Sequence, residues 1–353
     1  MHKSKFWILV LITVSFLFPD WIIKINREEI DTAAFQKYIN FAKLQQGQQG
    51  VGIDKIIADK SELNTFLNKF IELHIILHEA EEKGYSIDNE EVNAVYRQQK
   101  KNWIQRLFLM KDMAKETSSI EEPTEEEIKS FFNQYYGESQ KAYADLSMDE
   151  KSKVYQAVLM QKIDKAKKIY KKRLEKEYRI KRYGMDKKNV ALVDRTRITR
   201  SQLNRHIKDQ LSLMGVSPEE VKARSPQKYK QYKEEAYEDL IFQTMVQKEM
   251  AIQDFTDKQY VQDALDVLQD QVVLEYFIEK EIKSGITVND TERDQVYQKI
   301  KARIKDLPFP QQQEVINEQV KRAKLDAVLQ TFLSEKKEEM IIKRNKDELE
   351  KIN

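Results

Sequence analysis

Residues 21–38 read WIIKINREEIDTAAFQKY, and residues 189–206 read NVALVDRTRITRSQLNRH. In each, an apolar run ends at Asn26 or Asp194, an arginine follows (Arg27, Arg195), and an isoleucine (Ile30, Ile198) precedes a helix start. Asn and Asp tolerate the left-handed backbone that a tight turn requires, so both stretches predict strand, two-residue turn, strand. A helix follows at once. Thr199 with Gln202 matches a capping box, and Asp31 can cap the first copy alone. The chain writes the same opening twice.

What lies behind the two copies keeps the same order. After the first come an amphipathic helix with Phe35, Tyr38, Ile39 and Phe41, a Gln/Gly loop at 45–52, and an apolar helix with Leu63, Leu67, Phe70, Ile71 and Ile75. Gly84 stops that helix, and Asp88 can cap the next. Thr124 and Glu127 offer a capping box, and a long helix through Tyr170 and Leu174 closes the half at YRIKRY, 178–183, whose strand-like tip could pair with the hairpin. After the second copy, Ser217 with Glu220, an apolar helix around Ile241 and Met245, GITVNDTERDQVY and a last helix ending in MIIKR repeat the sequence of events. Asn26 and Asp194 are 168 apart, Glu79 and Glu249 170, Thr124 and Asn289 165, Ile180 and Ile342 162. So small a drift predicts a tandem duplication. The expected architecture is mainly α, with two tandem lobes at 21–183 and 190–353 joined by a linker at 184–189. Each lobe has a small β-ribbon and a long terminal helix, and each should fold alone.

Composition agrees with helices: 353 residues hold only 8 Gly and 6 Pro. No Gly-rich phosphate loop occurs, and a formal net charge of +2 argues against a dedicated nucleic-acid binder. Residues 150–182 depart from that balance, with 13 Lys/Arg against 4 Asp/Glu, a local +9. Such a run is a solvated helix face, or a surface for anionic lipid or acidic segments. The absence of cysteine excludes disulfides, thiolate catalysis and Cys-bound zinc.

Lys3 and Lys5 precede the apolar run FWILVLITVSFLF at 6–18. Thirteen helical residues span about 20 Å, short of the roughly 30 Å hydrocarbon core. Residues 1–20 therefore predict a secretory signal peptide or a short inner-membrane anchor, and a protein of the bacterial periplasm.

The doubled order resembles the peptide-binding lobe of the SurA/PrsA/trigger-factor chaperone family. The residues that carry the resemblance are IIKINREEIDTAAF and VALVDRTRITRSQL for the opening hairpin, FIELHIILHEAEEKGYSIDNEEV for the core helix and the step after it, and PTEEEIKSFF and ITVNDTERDQVY beyond. Arg27 and Arg195 stand where the family usually has Gly. Many relatives insert a parvulin-type prolyl isomerase domain before the long last helix. Here that gap is residues 133–147 in the first half and about ten residues around 298–307 in the second, too little for a domain of roughly 50 residues or more.

His74 and His78 stand four apart, but in the order HIILHE within a core-like stripe, which favours packed or partly exposed histidines over a zinc site. The stripe Trp103, Ile104, Leu107, Phe108, Met110 and Met113 reads either as core or as an exposed surface for unfolded clients, to which Met and aromatics are suited. Tyr135 and Tyr136, with Tyr143, could rim it. The resemblance implies a cell-envelope holdase for unfolded or outer-membrane-bound polypeptides, with no cofactor, metal or catalytic step. A divergent prolyl isomerase and a scaffold with one fixed partner are the alternatives.

Overall fold

The protein is described by a computed structural model over residues 21–46, 60–116, 123–136, 142–213, 215–304 and 309–350. The leader read at 1–20 and most of the Gln/Gly loop lie outside the described residues. The chain is mainly helical, with two small antiparallel sheets. In chain order the elements are β1 (Trp21–Ile25), β2 (Glu28–Asp31), α1 (Thr32–Gln46), α2 (Lys60–Glu82), α3 (Glu90–Glu116), α4 (Glu125–Tyr136), α5 (Met148–Glu177) and β3 (Ile180–Arg182). They continue with β4 (Asn189–Val193), β5 (Thr196–Thr199), α6 (Arg200–Leu213), α7 (Pro218–Arg224), α8 (Pro226–Ile252) and α9 (Gln259–Phe277). A π-helical turn (Ile278–Lys283), α10 (Asp290–Ile304), α11 (Phe309–Glu339), β6 (Ile342–Arg344) and α12 (Lys346–Glu350) complete it. Among the described helices, none is long and apolar enough to cross a membrane.

Both predicted hairpins form, with one register. Ile23, Lys24 and Ile25 face Ile30, Glu29 and Glu28; Ala191, Leu192 and Val193 face Ile198, Arg197 and Thr196. A bulge sits at the same place in each, between Trp21 and Ile23 and between Asn189 and Ala191. It lets two consecutive residues, Ile22–Ile23 and Val190–Ala191, point into the core. The left-handed backbone falls on Asn26 (φ 56°) and Asp194 (φ 50°), not on the arginines after them. Glycine is therefore not required at those positions, which accounts for Arg27 and Arg195. The helix starts follow the sequence: Asp31 accepts from the Ala34 amide at 2.7 Å, and Thr199 and Gln202 cap each other reciprocally. The start of α3 differs by one residue, since Asn89, not Asp88, accepts from the Glu91 and Val92 amides.

The third strand of each sheet is where sequence order and structure part. The first sheet has the order β2-β1-β6 and the second β3-β4-β5. The tip at 178–183 thus pairs with the hairpin that follows it, while the first hairpin receives its third strand from the far C-terminus. Residues 183–188 are the cause. So short a connection closes an antiparallel pair with the next strand at little entropic loss, whereas pairing β3 with the first hairpin would close a far longer loop. Both third strands read IKR, and both dock identically: Ile342 faces Ile25 as Ile180 faces Val193. The Asn26 amide donates to the Ile341 carbonyl (2.8 Å) and its side chain accepts from the Ile341 amide (3.0 Å); Asp194 does the same with Arg179 at 2.8 and 3.0 Å.

The compact units consequently cut across the halves of the duplication: one comprises Met1–Arg97 with Asp263–Asn353, the other Gln98–Gln262. The 184–189 linker lies inside the second. In the first unit, Ile22, Ile23 and Ile25 pack with Phe35, Leu67, Phe70, Ile75, Phe277 and Leu333. Tyr38 donates to Asp270 at 2.5 Å, and nearly buried Glu79 pairs with Lys336 at 3.0 Å. In the second, Tyr170, Leu174, Val190, Val193, Leu203, Ile241 and Phe242 are buried. There the Tyr170 hydroxyl donates to buried Asp112 at 2.7 Å.

Candidate functional site

The apolar stripe on α3 is core. Ile104, Leu107, Phe108 and Met113 are buried, and the Phe108 ring meets Phe255 edge-on at 4.9 Å. Trp103 and Met110 are half-buried. A client surface over 103–113 is therefore corrected: six apolar residues at helical spacing form a stripe whichever way it faces, and here four of them are buried, Phe108 against Phe255. Beside the stripe, burial pushes the Asp112 carboxyl up, but hydrogen bonds from Tyr170, Lys115 and Gln253 outweigh burial and hold it below the carboxylate range.

Tyr135 and Tyr136 have the opposite placement. They are 57% and 48% exposed at the end of α4. Each is backed by a ring one turn earlier, Tyr135 by Phe131 at 4.5 Å and Tyr136 by Phe132 in a stack at 5.5 Å. The α4–α5 pair beneath them is a helical hairpin closed by Ile128, Phe132, Val154 and Val158. Its first turn is fixed by the predicted capping box, in which Glu127 accepts from the Thr124 amide and Thr124 from that of Glu127. Lys162 of α5 reaches the same carboxylate at 2.8 Å and, ahead of the cap, holds its pKa below the ordinary range. An open cleft of about 740 Å³ runs between the helices, lined by Glu126, Phe131, Gln134, Val158, Lys165 and Lys168.

The second half builds the same hairpin from α10 and α11. Asn289 and Glu292 cap each other, and Lys324, 162 residues after Lys162, binds Glu292 at 2.9 Å. Its exposed rings are Tyr297 and Phe309, the latter 71% exposed. Sequence reasoning passed over both, although LPFP at 307–310 places an aromatic between two prolines, where no helix interior can bury it. Eleven large apolar side chains are exposed among the described residues. Five lie on the first hairpin (Tyr135, Tyr136, Met148, Met160, Ile169) and three on the second (Tyr297, Phe309, Val328).

The histidines among the described residues take structural places. The His74 ring lies against Phe70 at 4.5 Å and Tyr38 at 6.0 Å, and burial pushes its pKa down to about 4. His78 faces Glu82 at 3.6 Å, and His206 meets Asp239 at 3.1 Å. No group of three His, Asp or Glu side chains placed to hold a metal ion occurs among the described residues. No family model, curated protein or solved structure matches this chain.

Proposed function

We propose that this chain is a polypeptide-binding chaperone of the bacterial cell envelope, a holdase that retains unfolded segments on its two helical hairpins without catalysing a reaction. The observation that carries the reading is the distribution of exposed large apolar side chains among the described residues, eight of eleven on α4–α5 and α10–α11. Isolated apolar side chains on a surface are ordinary, but rings and methionines concentrated on equivalent arms offer adaptable contacts to varied apolar segments. Charges alternate with them: Glu126, Lys165 and Lys168 line the same cleft as Phe131. That mixture keeps the arms soluble and the binding shallow and reversible. The resemblance of the doubled sequence to the SurA/PrsA/trigger-factor lobe adds support, as does the shortness of both gaps where an isomerase domain would stand. The clients we propose are unfolded outer-membrane or secreted proteins.

The test is suppression of aggregation of two unrelated unfolded proteins, with a prolyl isomerisation assay alongside. The wild-type chain should protect at a small molar excess and leave isomerisation at its slow uncatalysed rate. Tyr135→Ser/Tyr136→Ser/Phe309→Ser should lose most of the protection while keeping the melting temperature, because the three rings are exposed. Protection unchanged in that variant removes the hairpins from the account. An isomerase rate well above background, or no protection by the wild type, removes the holdase.

A further inference from the structure

The shared register allows the outward faces of the two sheets to be compared position by position. In the first sheet the central outward row is Lys343, Lys24 and Glu29, one residue from each strand. Lys24 pairs with Glu29 at 2.5 Å and lies over the Trp21 ring at 4.6 Å, so the central cation of this face is neutralised and covered. The equivalent row of the second sheet is Lys181, Leu192 and Arg197. Glutamate has become arginine, the central lysine has become leucine, and Asn189 stands in the place of Trp21. Arg195 in the turn and Lys187 ahead of β4 add two more cations.

Leu192 and Arg197, with Lys187, Arg195, Tyr183 and Asp194, line an open concavity of about 790 Å³. The one carboxylate there, Asp194, is already engaged by the Arg179 amide at 3.0 Å and by Lys248 at 3.6 Å. Tyr183 is 47% exposed and Leu192 half-buried, giving an apolar floor among three cations, Lys187, Arg195 and Arg197, with Lys181 beside Leu192 on the neighbouring strand.

We propose that this face of the β3-β4-β5 sheet binds an acidic, extended polypeptide segment in which Asp or Glu alternates with apolar residues. Charge complementarity selects an anion. The concavity selects a chain over a membrane, because a planar lipid surface cannot follow a hollow while a strand can enter it. An extended peptide repeats its side chains on one face about every 7 Å, so alternate carboxylates would all face the sheet that carries these cations. The site is separate from the helical hairpins and does not depend on their role.

The test uses the full chain and fluorescence anisotropy at low salt with a labelled peptide of alternating Glu and Val, against the same peptide with Lys for Glu. The Glu peptide should bind and the Lys peptide should not. Arg195→Glu/Arg197→Glu should weaken binding by about tenfold or more, and added salt should do the same to the wild type. Lys181→Gln/Lys187→Gln should weaken it less, and Arg27→Glu, on the other sheet, should leave it unchanged. Equal affinity for both peptides, no binding of the Glu peptide, or binding indifferent to both sheet variants overturns the proposal. Loss of co-sedimentation with phosphatidylglycerol vesicles in Arg195→Glu/Arg197→Glu, with peptide binding intact, overturns it in favour of a lipid surface.

Discussion

Replacing Asn26 with alanine removes two supports of the first sheet at once. The residue sits at φ 56°, where an ordinary L-residue is disfavoured by about 1–2 kcal/mol and Asn or Asp much less. Its side chain also accepts from the Ile341 amide at 3.0 Å, a bond worth about 0.5–1.5 kcal/mol. Ile341 is 63% exposed, so its freed amide can turn to water and the lower figure applies. Asn26→Ala should therefore destabilise the first unit by about 2 kcal/mol. Asn26→Gly relieves the backbone and loses only the hydrogen bond and some unfolded-state entropy, about 1 kcal/mol. Asn26→Asp should be close to neutral, since Asp194 makes the same pair of bonds in the second sheet. The measurement is hydrogen exchange of the β6 amides, with urea midpoints at unchanged m value as a check. Equal losses for Ala and Gly would refute the left-handed argument, and a loss for Asp as large as that for Ala would refute the hydrogen bond.

Four further outcomes are expected. His74 stays neutral in the fold down to about pH 4 but titrates near 6.5 when unfolded, so the unfolded chain binds the extra proton between those values. Stability of the first unit should then fall by up to about 3 kcal/mol as pH drops from 6.5 to 4, and a His74→Phe variant should lose that slope in urea titrations. Phe108→Ala should cost the second unit about 3–5 kcal/mol, whereas exposed Tyr135→Ala should shift it by less than about 0.5 kcal/mol in the same denaturation assay. A fragment of residues 98–262 holds all three strands of its sheet and should unfold cooperatively by circular dichroism; 20–183 lacks β6 and should not. An alkaline phosphatase fused after residue 40 should be active if the N-terminus directs export, and inactivity there, with an active cytoplasmic reporter, would reject the envelope location.

The local structure was legible wherever one residue sets it. Asn26 and Asp194 announced their turns, and Thr124, Thr199 and Ser217 their helix starts, because capping and left-handed backbone are short-range chemistry. The choice of strand partner was not legible. Ile180–Arg182 and Ile342–Arg344 are the same tripeptide and fit either hairpin, so side chains carry no preference and the length of 183–188 decides. The site was half legible for a similar reason. Helical spacing in 103–113 reveals an apolar stripe but not what lies over it, and Phe255 is more than a hundred residues away. Tyr135 and Tyr136, read as loop residues rimming that stripe, instead end α4, where both rings are exposed. Phe309 was missed because a lone aromatic between prolines has no periodicity to register.

The exchanged strands impose an order of completion during synthesis. The partner of Asn26 lies 315 residues downstream, at Ile341. At about 5–20 residues per second, the ribosome supplies it about 15–60 s after the first hairpin emerges. The second unit is one continuous segment, Gln98–Gln262, and has all its strands well before the C-terminus exists. The first hairpin, made before the second unit, is thus completed after it, and until then its sheet presents an edge shaped for the tripeptide IKR.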